Sequence, residues 1–124
     1  MTIILHCVIA FMKRLIIQTK IFSDDLDALI AENKLLISDY EELEKALARD
    51  PEQGSQIQGT GGLRKTRLKS STKGKRGGFR VCYFDSAKNE QLFFIVIYGK
   101  NEKENISKED KAFFKKLLEK IKNG

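Results

Sequence analysis

The sequence predicts an α+β domain: an antiparallel sheet with two N-terminal helices and a C-terminal helix. Three observations point there. The chain has 124 residues, enough for one core of ordinary size. Two acid-rich amphipathic segments come early, and three β-rich runs joined by turns precede a last amphipathic segment. With 41% hydrophobic residues, a single Pro and a mean hydropathy of −0.36, the chain is globular rather than disordered or repeat-built.

Residues 1–11 (MTIILHCVIAF) are apolar, with no basic stretch before them and no small-residue cleavage site after them. As a helix they would span about 16 Å, short of a bilayer, so no membrane partner is expected. Met12 is followed at once by Lys13–Thr19 (KRLIIQT), which has the pattern of a first strand beginning at a methionine. Residues 1–11 are therefore expected to be an extension or a mis-called start, and 12–124 the single domain. Ser23 before Asp24 and Asp25 predicts the N-cap of a first helix running to about Asn33. The Ser38-Asp39-Tyr40-Glu41 run predicts a capping box for a second helix, with Leu43 and Leu47 on one stripe and Pro51 closing it.

The Gly54–Gly62 segment (GSQIQGTGG) lacks the Lys-Ser/Thr ending of a phosphate-binding loop and reads as a turn into a strand. Strands are predicted at Leu63–Lys69, Phe79–Asp85 and Gln91–Tyr98, with a loop over Ser70–Gly78. Ser107-Lys108-Glu109-Asp110 caps a final helix whose Phe113, Phe114, Leu117, Leu118 and Ile121 form an apolar stripe. The helices are expected to cover one sheet face and leave the other partly open.

Net charge is +6, but unevenly placed. Residues 24–50 carry nine acids against three bases, whereas 51–124 carry 17 bases against eight acids. Within the latter, Leu63–Arg80 holds eight cations and no acid. Such crowding destabilises a fold unless an anion relieves it, so nucleic acid is the expected partner class. His6 is the only histidine, which excludes His-based nucleophile triads and His–His acid/base pairs. The two cysteines, Cys7 and Cys82, have no metal-ligand or disulfide-framework spacing, so neither a metal nor a cofactor is expected. Chemistry is left to Lys, Arg, Tyr or carboxylates.

Three blocks carry a resemblance: Gln56–Arg67 (QIQGTGGLRKTR), Gly74–Phe84 (GKRGGFRVCYF) and Tyr98–Glu102 (YGKNE). In order and spacing they resemble the RelE/HigB toxins of bacterial type II toxin–antitoxin systems, the HigB-like branch most, from Met12 to the C-terminus. The resemblance implies a small RelE-like microbial RNase fold and a cytoplasmic, ribosome-dependent mRNA endonuclease, or mRNA interferase, that inhibits translation from the A site of the 70S ribosome. It also implies a HigA-like helix-turn-helix antitoxin as partner. RNA cleavage by internal transesterification needs a proton taken from the 2′-OH, a stabilised phosphorane and help for the leaving 5′ oxygen, and it proceeds without a metal.

Strand alternation sets Lys65, Arg67 and Lys69 on one face and Thr66 and Leu68 on the other. By similarity, Lys65 is the candidate general base or relay, Arg67 and Arg80 stabilise the phosphorane, and Lys100 assists the leaving group or binds phosphate. Arg64, Lys69, Lys73, Lys75 and Arg76 are candidate RNA-binding residues, and Tyr98 a base-stacking one. Two alternatives remain: a ParE-like toxin that acts by protein binding without nuclease activity, and an inactive RNA-binding relative. The density of cations over Leu63–Arg80 favours RNA.

Overall fold

The computed structural model of the protein describes residues 3–7, 14–72, 78–99 and 106–123, the first of these segments by its backbone. Six strands and three α-helices follow in the order β1 (Ile3–Cys7), β2 (Leu15–Thr19), α1 (Lys20–Ala31), α2 (Ile37–Arg49), β3 (Ser55–Gln56), β4 (Leu63–Lys69), β5 (Gly78–Ser86), β6 (Gln91–Gly99) and α3 (Lys108–Asn123). They form one sheet in the order β1-β2-β6-β5-β4-β3. The β4-β5-β6 unit is antiparallel, as the short connections require. β2 joins β6 in parallel, so the sheet is mixed rather than wholly antiparallel; α1 through β5 form the crossover that a parallel pair needs. Ile3–Cys7, read from sequence as lying outside the domain, pairs with β2 as an edge strand.

Helices cover both faces of the sheet, not one. On the first face Phe22, Leu26, Tyr40, Leu43 and Leu47 of α1 and α2 meet Ile16, Val81, Tyr83, Leu92 and Phe94 of the sheet. Phe94 is the hub, edge-on to Phe22 at 5.5 Å and to Tyr40 at 6.1 Å between ring centroids. On the second face Phe114 and Leu118 of α3 bury Leu63, Phe84, Phe93 and Ile17. Phe113, expected in that stripe, is 55% exposed because the buried positions of α3 fall at 114 and 118, one turn apart. Among the described residues no helix is long and apolar enough to cross a membrane.

Two helix starts differ from the sequence expectation. α1 begins four residues before Asp24: its cap is Thr19, whose Oγ1 accepts the Phe22 N–H at 3.1 Å, and Ser23 is buried inside the helix. α2 begins after Leu36, whose N–H donates to Oδ2 of Asp39 at 3.2 Å; leucine has no polar group to reciprocate, so Asp39 caps alone and Ser38 takes no part. α3 starts as predicted, with the Asp110 N–H donating to Ser107 Oγ at 3.1 Å.

Between α2 and β4 the chain is held by Tyr83, whose hydroxyl donates to Pro51 O at 2.8 Å and accepts the Gly54 N–H at 2.9 Å. Gly54 is required for this contact, since a Cβ there would lie 2.7 Å from the Tyr83 hydroxyl. Thr60 closes the following turn by donating to Ile57 O at 2.6 Å and accepting the Leu63 N–H at 3.1 Å. Gly61 and Gly62, at φ +79° and +124°, supply the left-handed backbone that turn needs before β4. Tyr83→Phe removes both hydrogen bonds of the latch and leaves the Pro51 carbonyl and the Gly54 N–H without this partner, and a loss of about 1–3 kcal/mol of unfolding free energy is expected in urea titration. An unchanged midpoint would show that the latch adds nothing.

Candidate nucleic-acid interface

Sheet register assembles the site. Arg67 of β4 lies directly opposite Arg80 of β5, and Arg80 directly opposite Tyr98 of β6. All three occupy the face that α3 covers: Arg67 shares the parity of Leu63, Arg80 that of Cys82, and Tyr98 packs against the same cluster. Lys65 sits one row toward α3, opposite Cys82, and Lys69 one row beyond, opposite Gly78. α3 shields only the Leu63 end. Along β4 exposure therefore rises from buried Leu63 through half-buried Lys65 to exposed Arg67 and Lys69.

Tyr98 reaches this row because β6 carries one extra residue. Cys82 pairs with Val96 but Tyr83 pairs with Phe94, so Ile95 is unmatched. Ile95 and Val96 consequently both face α3, whereas Phe94 and Ile97 face α1 and α2. Without the bulge, period-two alternation from Phe93 would set Ile97 in the site and Tyr98 in the opposite core.

Like charges opposite one another on paired strands repel. Among the described residues, no ion pair or hydrogen bond engages the side chains of Lys65, Arg67, Lys69 or Arg80. Moreover, Nη1 of Arg80 is buried with no hydrogen-bond partner. A buried N–H left unsatisfied costs about 1–3 kcal/mol, and more on a charged group. Its natural complement is an anionic oxygen, which would also screen Arg67 from Arg80. Burial pushes the Tyr98 phenol up to about 12, helped by its electrostatic interaction and hydrogen bond with Cys82, and opposed by Arg80. At neutral pH Tyr98 is a neutral phenol, fit to stack or donate but not to take a proton.

The other candidates separate. Arg64 points to the α1/α2 side and donates through Nη1 to Glu52 O at 3.0 Å and Gly54 O at 2.7 Å. It braces the turn before β4 and is not gathered with the row; the backbone carbonyls that hold it leave no signal in sequence. Lys73, Lys75, Arg76 and Lys100 lie outside the described residues. Sequence reading missed Asp39 as a brace for the end of β4. Its carboxylate accepts the Ser71 hydroxyl at 2.6 Å and the Ser71 N–H at 3.0 Å, while Ser70 Oγ donates to Lys34 O at 2.6 Å. Burial acts upward on Asp39, yet the hydrogen bonds from Ser71 and Leu36 hold it below the usual carboxylate value. Asp39 in the second helix cap was visible; its long-range partner was not.

Among the described residues, no group of three or more His, Cys, Asp or Glu could hold a metal. A groove of about 1110 Å³ between the start of α1, β6 and α3 is lined mainly by apolar side chains such as Phe93, Ile95, Phe114 and Leu117. None of the sequence-predicted site residues lines it.

All three tyrosines, Tyr40, Tyr83 and Tyr98, have raised pKa values with burial as the leading cause. Alkaline titration of phenolate absorbance is thus expected to show no transition centred near 10 in the native protein, with Tyr98 ionising at about 12. Because the folded values are raised, their stabilising share is complete below pH 10 and is lost as pH climbs through the folded values. A native transition at pH 10 that matches the urea-unfolded chain would contradict the packing described.

The profile of the family described as "RelE toxin of RelE / RelB toxin-antitoxin system" matches residues 18–123, from the end of β2 through α3, and so includes the whole cation row.

Proposed function

The chain belongs to the RelE toxin family, and on that premise we propose that it is a HigB-like, ribosome-dependent mRNA endonuclease whose cutting site is the Arg67–Arg80–Tyr98 row with Lys65 beside it. The observation that carries this reading is the buried, unpartnered Nη1 of Arg80 opposite a second guanidinium. Two forks facing one space suit a phosphorane with charge on several oxygens, and the low-dielectric floor beneath them strengthens the interaction.

In the proposed reaction Lys65 takes or relays the proton of the 2′-OH. The resulting oxygen attacks the adjacent phosphorus, Arg67 and Arg80 bind the non-bridging oxygens, and the 5′ oxygen leaves with a proton while a 2′,3′-cyclic phosphate remains. Lys100 is the proposed donor of that proton. The neutral Tyr98 ring stacks on a base next to the break and fixes the sugar relative to Lys65. Lys69, with Lys73, Lys75 and Arg76 in the loop that follows, is proposed to grip message or ribosomal RNA phosphates, a contact that weakens steeply with salt. The message is proposed to be met in the ribosomal A site, and a HigA-like helix-turn-helix antitoxin is the proposed neutralising partner.

The test is cleavage of a defined message on programmed ribosomes by antitoxin-free protein, with mapping of the new 5′ ends. Lys65→Ala combined with Arg80→Ala is expected to lower the cutting rate at least about 10²-fold. The melting temperature should move little, because removing one of two facing cations relieves repulsion. Full activity of that double variant removes the site assignment. DNA damage in cells with intact message would instead favour a toxin that acts through protein contacts.

A further inference from the structure

We infer that Thr19 is a positioning residue for RNA cleavage: its hydroxyl fixes the β6 bulge that turns Tyr98 into the cation row. This rests on the cleavage reading above and extends it to a residue outside the site.

Thr19 lies at a junction of three elements. It is the last residue of β2, whose parallel ladder with β6 ends at the Gln18–Phe94 pair, immediately before the unmatched Ile95. In place of a further ladder pairing, the Thr19 Oγ1 donates to the Ile95 carbonyl at 2.7 Å. Where a ladder stops, the next buried backbone carbonyl needs another donor. The same oxygen accepts the Phe22 N–H at 3.1 Å, which caps α1. Thr19 is 4% exposed, so water is not at hand to replace either bond. One hydroxyl therefore satisfies the carbonyl of the bulge residue, just past the end of the β2–β6 ladder, and an orphaned helix N–H together.

Two side-chain arrangements compete for the end of β6. With the bulge, Val96 and Tyr98 face α3 and Ile97 enters the α1/α2 core. Without it, Ile97 would face the cations and the Tyr98 phenol would be thrust into the aliphatic and aromatic core around Phe94. Thr19 holds the first arrangement. Neither Thr19 nor Ile95 touches the cation row, so their effect on chemistry runs through Tyr98.

The experiment is a double-mutant cycle on the full-length protein, read by message cleavage on programmed ribosomes and by phenolate titration. Thr19→Val keeps the shape of the side chain and loses both hydrogen bonds; Thr19→Ser keeps them. Thr19→Val is expected to lower kcat about tenfold or more with KM little changed, and to move the Tyr98 ionisation away from about 12. Thr19→Ser should stay within about threefold of wild type in kcat and leave the Tyr98 titration in place. On a Tyr98→Ala background, which removes the ring, Thr19→Val should cost little further activity, because interacting sites are non-additive.

Two results would overturn the inference: an undiminished penalty of Thr19→Val on the Tyr98→Ala background, or an unmoved Tyr98 titration in Thr19→Val. If the wild-type protein leaves message intact, the cleavage reading fails. The titration arm still decides whether Thr19 positions Tyr98. Should Thr19→Val not fold, Thr19→Ser and Thr19→Ala carry the same comparison, with loss of the Tyr98 signature in Ala alone as the supporting result.

Discussion

The register that sets Arg67 opposite Arg80 imposes the constraint on which the site depends. The two arginine-bearing strands cannot move apart, because each is locked by its own core contacts: Leu68 on one side of β4, Val81 and Cys82 on both sides of β5. The sheet thus holds a repulsion that an isolated hairpin would relax by fraying. An N–H of Arg80 faces no partner in that arrangement. Positive charge fixed in place before any ligand arrives needs no reorganisation when negative charge develops, and this is the source of most electrostatic catalysis.

The rest of the molecule serves that rigidity. α1 and α2 cover one face of the sheet, while α3 covers only the Leu63 end of the other, so the cations lie where the second layer stops. The acidic helices answer the charge balance without quenching the row, since none of their carboxylates pairs with it among the described residues. Tyr83 and Arg64 pin the segment before β4, and Asp39 pins the segment after it. Both ends of the cation-bearing strand are therefore anchored by long-range hydrogen bonds. A polar cluster deep in the α1/α2 core, in which Gln18 Nε2 donates to the Tyr40 hydroxyl at 2.6 Å near Glu44, ties β2 to α2 and lies away from the site.

Much of this was legible in the residues. Alternation in Leu63–Lys69 correctly put Lys65, Arg67 and Lys69 on one face, and Ser107 was recognisable as the cap of α3. What escaped was set by tertiary contact. Thr19 outcompetes Ser23 as the α1 cap because its hydroxyl also meets the Ile95 carbonyl across the sheet, which no local pattern reveals. The bulge itself is invisible in Gln91–Gly99, because a strand buried on both faces shows no alternation to be interrupted. Arg64 looked like its basic neighbours; only the fold shows that Glu52 and Gly54 carbonyls claim it. The parallel pairing of β2 with β6 and the placement of α3 on the second face depend on topology, which composition and period leave open.

If the row seats the scissile phosphate, the guanidinium of Arg80 must meet it directly. NMR observation of the arginine side-chain N–H groups, during titration with a short RNA whose 2′-oxygens are methylated to block cutting, reads that contact. The Arg80 resonances are predicted to shift and to gain protection from solvent exchange, together with those of Arg67. RNA binding that leaves both guanidinium signals where they stand in the free protein would contradict the assignment of this row as the place where the message is held.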